Sequence, residues 1–287
     1  MWSRSIYKLV IWLSVSFLVV NIPVHAQYFR RAIVEHLSPS MARISVNDPR
    51  PMRQVVEGMR QTYGLLIDYE EPPYFSSYDV ADVTNPKWRA QHPNAQPYLG
   101  MSGGAFSSDF PEIVPARLDT SAKIALEKIT ADYNQSNNPG RFAVRIDGPH
   151  RLSVVGTSMR DQNGRLIAAH ALLDTDVNVS GLRQGNAEEI LEALCVELTK
   201  ASGLSVTPGT IPPNMMIQTR VTLDTGSDVS IQARKVLMQI SAAARNSLVW
   251  TLNWDPNQRF YVLNLTAAEK LEKRPDGTTQ PIPLKLD

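Results

Sequence analysis

One cysteine, Cys195, is the whole thiol inventory of 287 residues. No intrachain disulfide can form, so a disulfide-stapled scaffold is excluded and a hydrophobic core must hold the fold. Neither sign of charge is in excess. There are 29 basic side chains against 28 acidic ones, and two of the basic ones, Arg4 and Lys8, stand at the very start. That balance lacks the basic footprint of a nucleic-acid binder, so no nucleic-acid partner is expected. The apolar run at 9–20 is about a dozen residues, too short to span a bilayer comfortably. No H-x3-H or C-x2-C spacing occurs, and His36, His92 and His150 stand alone. A structural zinc site is not expected, and no cofactor is implied.

What is present begins with an export signal. Arg4 and Lys8 supply a positive n-region, 9–20 an apolar h-region, and Val24-His25-Ala26 the small residues that a signal peptidase reads. The reading is a signal peptide over 1–26 with cleavage before Gln27. Contact with a membrane is expected only through an uncleaved signal. An exported, cysteine-poor chain suits a bacterial envelope, in the periplasm or secreted.

Behind the signal a pattern occurs twice. Met52-Arg53-Gln54-Val55-Val56-Glu57-Gly58-Met59 leads to Gly64-Leu65-Leu66-Ile67-Asp68-Tyr69 and Pro72-Pro73. Ala187-Glu188-Glu189-Ile190-Leu191-Glu192-Ala193-Leu194 leads to Gly203-Leu204-Ser205-Val206 and Pro212-Pro213. Each is followed by Leu-Asp-Thr, at 118–120 and 223–225, then by a second apolar helix and two short strands. The expected fold class is α+β: two tandem small modules, each with two helices packed against short strands and hairpins in βαββαββ order. An N-terminal segment, 27–41, precedes module one at 42–171. Module two covers 172–265 and a C-terminal tail 266–287. The modules are expected to fold separately, with a boundary near 172–182.

Local signals place the elements. Pro51 suits a first helical position and Gly64 a C-terminal cap, with Val55, Met59 and Tyr63 on one stripe. Ala122, Ala125, Leu126, Ile129 and Tyr133 form the stripe of a second helix. Ile190, Leu191, Leu194 and Leu198 mark a third, with Cys195 buried among them. Ala233, Val236, Leu237 and Ile240 mark a fourth, with Ser227 or Asp228 as its cap. Asn163-Gly164 is a hairpin turn, since both residues tolerate positive φ. Segment 266–287 reads as a frayed tail.

The order strand, helix, Gly-Leu strand, strand, helix, strand, strand resembles the short N-terminal module of secretins and TonB-dependent receptors. The resemblance rests on 190–194, Ser202-Gly203-Leu204, Val221-Thr222-Leu223, the helix at 229–240 and Tyr261-Val262-Leu263. It covers 177–265, and covers 42–156 once an insertion is excised. The resemblance implies a periplasmic docking module without catalysis. No β-barrel or plug sequence follows within these residues, so a pore or receptor is not expected of them.

The insertion, about 70–117, is rich in Pro, Gly, Ser and aromatic residues. Tyr and Trp offer contact area at low entropic cost, which suits a partner surface. Tyr74, Phe75, Tyr78, Trp88 and Tyr98 are therefore the candidate binding residues, with 74–110 expected to hang outside a complete frame. Gly100-Met101-Ser102-Gly103-Gly104 fits G-x-S-x-G, but neither the strand before nor the helix after that a nucleophile elbow needs is signalled. Asp174, Asp176 and His170 read as a solvated strand edge rather than a metal site. No catalytic and no metal residue is assigned. The expected function is docking to a protein partner of the cell envelope, without catalysis. The alternative is a periplasmic hydrolase or cell-wall carbohydrate-active protein with the insertion as its cleft.

Overall fold

The computed structural model describes residues 31–226, 229–274 and 276–284. The expected signal peptide and its cleavage point lie outside the described residues, as do the expected caps Ser227 and Asp228. The fold is α+β, with 30% helix and 37% strand.

The first half runs β1 (Ile33–Ser38), β2 (Met41–Asn47), α1 (Pro51–Tyr63), β3 (Leu66–Glu70), β4 (Val80–Asp82), α2 (Pro86–Gln91), β5 (Leu99–Met101), β6 (Ala105–Pro111), α3 (Leu118–Gln135), β7 (Arg141–Gly148), β8 (Arg151–Arg160) and β9 (Leu166–Ala168). The second runs β10 (Asp176–Asn178), β11 (Gln184–Asn186), α4 (Ala187–Ser202), β12 (Val206–Pro208), α5 (Pro213–Gln218), β13 (Arg220–Thr222), β14 (Ser230–Gln232), α6 (Ala233–Ala243), β15 (Leu248–Asp255) and β16 (Phe260–Ala267). β17 (Glu269–Lys273) and β18 (Thr279–Pro283) follow.

Local chemistry explains the helix ends. Pro51 opens α1, and Gly64 closes it in the left-handed region at φ 68°, a conformation that costs glycine nothing. Asn186 and Glu189 form a reciprocal capping box at the start of α4. Asn163-Gly164 turns β8 into β9, with Gly164 at φ 78°.

One sheet runs through the molecule in the order β12-β16-β15-β3-β8-β7, with β9 on the far end of β8. Both halves follow the same pairing scheme. β3 lies parallel to β8, which is antiparallel to β7; β12 lies parallel to β16, which is antiparallel to β15. In the first half β2, before α1, pairs antiparallel with β6, before α3; in the second half the segments before α4 and α6 form two short antiparallel ladders, β11 with β13 and β10 with β14.

The halves meet where β3 joins β15 in parallel, with Thr251 beside Tyr69 and Leu252 beside Glu70. Neighbours in register point to the same face. Tyr69 and Ile67 thus share one face with Thr251, and there they join the core beneath α1 and α3. Trp250, Leu252 and Trp254 point the other way, into the core of α4 and α6. Helices of the two halves cover opposite faces of a single sheet. The sequence boundary near 172–182 therefore does not coincide with a break in the sheet.

Two further expectations change. The segment 266–287, read as a tail, contains the β17–β18 hairpin, and β17 packs against α1. The insertion does not hang outside the frame. β6 lies within it and pairs with β2 from Met41–Pro111 to Asn47–Ala105, sending Phe106 and Phe110 into the core. Alternation of apolar and polar residues along Ala105–Pro111 is the local reason.

Candidate functional site

Backbone pairing between β3 and β15 is short, and charged side chains complete the seam. Trp250 N–H donates to Asp68 Oδ1 at 3.0 Å, and Trp254 N–H to Glu71 Oε2 at 2.9 Å. Arg60 donates to the Trp250 carbonyl at 3.0 Å and Arg50 to that of Trp254 at 2.6 Å. Arg50 also pairs with Glu71, and Arg151 with Asp68 at 2.7 Å. Arg151 further donates to Ser241 and to the Leu248 carbonyl, with its guanidinium 4.8 Å from the Trp250 ring centre. Burial pushes the Asp68 carboxyl up despite Arg151. Apart from the half-buried Arg50 these groups are buried, so each depends on its partner across the seam.

A second cluster ties α6 to the first half. Arg234 reaches Glu70, Asp147 at 3.2 Å and Asp174 at 3.0 Å. Burial opposes its charge, but the carboxylates outweigh that and raise its pKa. Burial also works against charge on Asp174, yet hydrogen bonds from Arg145 and Arg234 hold its carboxyl below the usual range. Asp174 is thus consumed by two arginines. Among the described residues no group of three or more His, Cys, Asp or Glu could hold a metal ion.

The candidate binding residues do not form one surface. Tyr74 is only 3% exposed, lies in the second-half core and accepts Trp254 Nε1–H at its carbonyl, 3.0 Å away. It moves from the binding set to the core, with its hydroxyl against Gly140. Phe75 is half-covered by an edge-on contact to Trp254 at 5.0 Å. Tyr78 lies over Gly164 of the β8–β9 turn. Trp88, on α2, stacks on His92 at 4.6 Å. Tyr98 is 59% exposed and borders a groove of about 390 Å³ between the β4–β5 ribbon and the outer face of β15–β16. Ser102 stands between β5 and β6 with its hydroxyl on the Tyr78 carbonyl, so the strand-to-helix turn of a nucleophile elbow is not formed.

The two ends of the sheet differ. At β12, Tyr261 N–H bonds Ser205 and Gly209 N–H bonds Leu263, so Val206 and Pro208 face outward. Val206 N–H is taken by Thr199 Oγ1 at 2.9 Å and Pro208 has none. That edge is closed. At β7, Asn134 caps both backbone groups of Phe142. Alternation turns the backbone of Val144 and Ile146 the same way. Among the described residues no strand lies beside them, and Ile146 is 64% exposed. That edge is open. Sequence reasoning expected an exposed sheet edge without placing it and did not foresee the charged seam, because both depend on which strands become neighbours.

No protein-family model matches the chain, and no solved structure matches it significantly. Among curated proteins it is similar to Myosin-1 of Lodderomyces elongisporus, 30% identical over 114 residues. The match spans 38% of this chain and 9% of that protein.

Proposed function

We propose that the chain is an exported envelope protein without catalysis, built from two divergent copies of a module like that of secretins and TonB-dependent receptors, which docks a protein partner by strand addition. The shared pairing scheme of the two halves supports the two-copy reading. The asymmetry of the sheet ends supports the docking reading and carries it. An open strand edge invites an incoming strand, and folded proteins blunt edges that must stay unpaired. β12 is blunted by Pro208 and Thr199, whereas the Val144–Ile146 stretch of β7 is not.

The test is a proline scan of the two edges. Val144→Pro removes an outward N–H while sparing the bonds to β8, a substitution that edge strands tolerate. A tagged chain recovered from its own envelope should hold a discrete partner, and Val144→Pro should lose it with little change in melting temperature. Retention of the partner by Val144→Pro contradicts the reading.

A further inference from the structure

We infer that the cavity between α1, the adjoining ends of β15 and β16, and the β17–β18 hairpin is a binding site for a small organic dianion bearing carboxylate or phosphate groups. The feature that carries this is a buried arginine short of a counter-charge. Arg50, Arg151 and Arg234 each pair with a buried carboxylate, on Glu71, Asp68 and Glu70. Arg60 is buried too, but the carboxylate it pairs with, on Glu57, is 43% exposed and stands at 3.3 Å. Glu57 also accepts Gln61 Nε2–H at 2.5 Å. The rest of the Arg60 fork donates to uncharged carbonyls, Nε to Ile67 at 2.5 Å and Nη2 to Trp250 at 3.0 Å. Burial opposes the charge on Arg50 and Arg234 as well, yet their carboxylates outweigh it and raise both pKa values. On Arg60 burial prevails and holds the guanidinium below its ordinary range, despite Glu57 and Asp68. A buried charge without full compensation is costly, and an added anion relieves that cost.

The walls select the ligand class. Arg60 is part of them, with 6% of its side-chain surface still exposed. Its Nη1 is the arm that reaches toward Glu57, another wall residue. Arg31, Arg53 and Lys270 line the same space, and Glu269 joins Glu57. Four cations thus stand against two carboxylates, a surplus of two positive charges. A dianion balances that surplus, whereas a neutral molecule leaves it in place. The planar fork of arginine matches carboxylate and phosphate oxygens two at a time. Leu65 and Val249 supply apolar surface for a carbon skeleton. The volume, about 470 Å³, lies within the range of small-ligand sites.

No residue of β7 lines the cavity, so its test is separable from that of docking. The full chain is titrated by calorimetry at low ionic strength with succinate, with inorganic phosphate and with neutral succinamide. Saturable one-to-one binding of at least one anion is expected below about 10 mM, and no saturation with succinamide. The anion that binds more tightly assigns the carboxylate or the phosphate class. Lys270→Met should weaken binding by about threefold or more. Glu57→Gln, which removes the carboxylate competing for Arg60 Nη1, should strengthen it by about the same factor. Both side chains reach solvent, so each variant should keep the melting temperature within about 2 °C, which separates changed binding from lost fold. Added sodium chloride should weaken binding by screening the charges. Saturation with neither anion, equal binding of succinamide, or an affinity unmoved by Lys270→Met overturns the inference.

Discussion

Arg151 enters the sheet from β8 and finds Asp68, Ser241 and the Leu248 carbonyl within 2.6–2.7 Å. Truncating one member of such a set leaves the other charge buried and unpaired. Arg151→Met should therefore destabilise by about 3–5 kcal/mol, whereas Arg151→Met with Asp68→Leu should recover part of that loss. Urea unfolding of the single and double variants measures both. Cys195 makes a separate point. Burial pushes its thiol from 9.0 up to about 12. A folded pKa above the unfolded one favours the protonated, folded form. The stability it contributes is complete below about pH 9 and is lost as pH climbs toward 12. Melting temperature should fall less steeply across that alkaline window in Cys195→Ala than in the parent chain. The native thiol should also stay inert to a disulfide reagent at pH 8 until denaturant is added.

Among elements, those carried by local chemistry were legible in the sequence. Pro51 and Gly64 bracket α1, the stripe Ile190-Leu191-Leu194-Leu198 is buried, and Asn163-Gly164 makes its hairpin. The insertion was not, because aromatic side chains serve a core and a binding surface equally well and only their neighbours decide. Tyr74, Phe106 and Phe110 went inward and Tyr98 stayed out. Within the insertion, the β4–β5 ribbon and its α2 excursion stand clear of the cores, apart from Met101 and the partly buried Val80. Replacing 84–97 with a short Gly/Ser turn should thus shift the melting temperature by no more than about 3 °C. Removing 74–110 should abolish cooperative unfolding, since it takes away β6 and the two buried phenylalanines, each worth about 3–5 kcal/mol when truncated. Circular dichroism melts of the two deletions distinguish these outcomes.

For the whole molecule, the sequence reveals the repeated order of elements but not how the halves join. The parallel contact of β3 with β15 links positions about 180 residues apart, as in Trp250 to Asp68, and no local pattern announces it. Its consequence is a shared sheet with a core on each face. The chain should unfold in one calorimetric transition, and a fragment starting at Leu173 should fail to do so, since it exposes the β15 edge with the carbonyls that Arg50 and Arg60 serve. Two separate transitions, or a stably folded fragment, would show that the seam contributes little. The candidate site was not legible, because the charged seam and the β7 edge both depend on which strands become neighbours.

Docking at the open edge is the central claim, and site-specific photo-crosslinking in the envelope tests it most directly. One photoreactive residue is placed at Ile146 on β7 and another at Thr207 on β12, each with and without Val144→Pro. The prediction is a single adduct of defined mass from position 146, lost with Val144→Pro, and none from 207. Equal adducts from both edges, or an adduct at 146 that survives Val144→Pro, would contradict it.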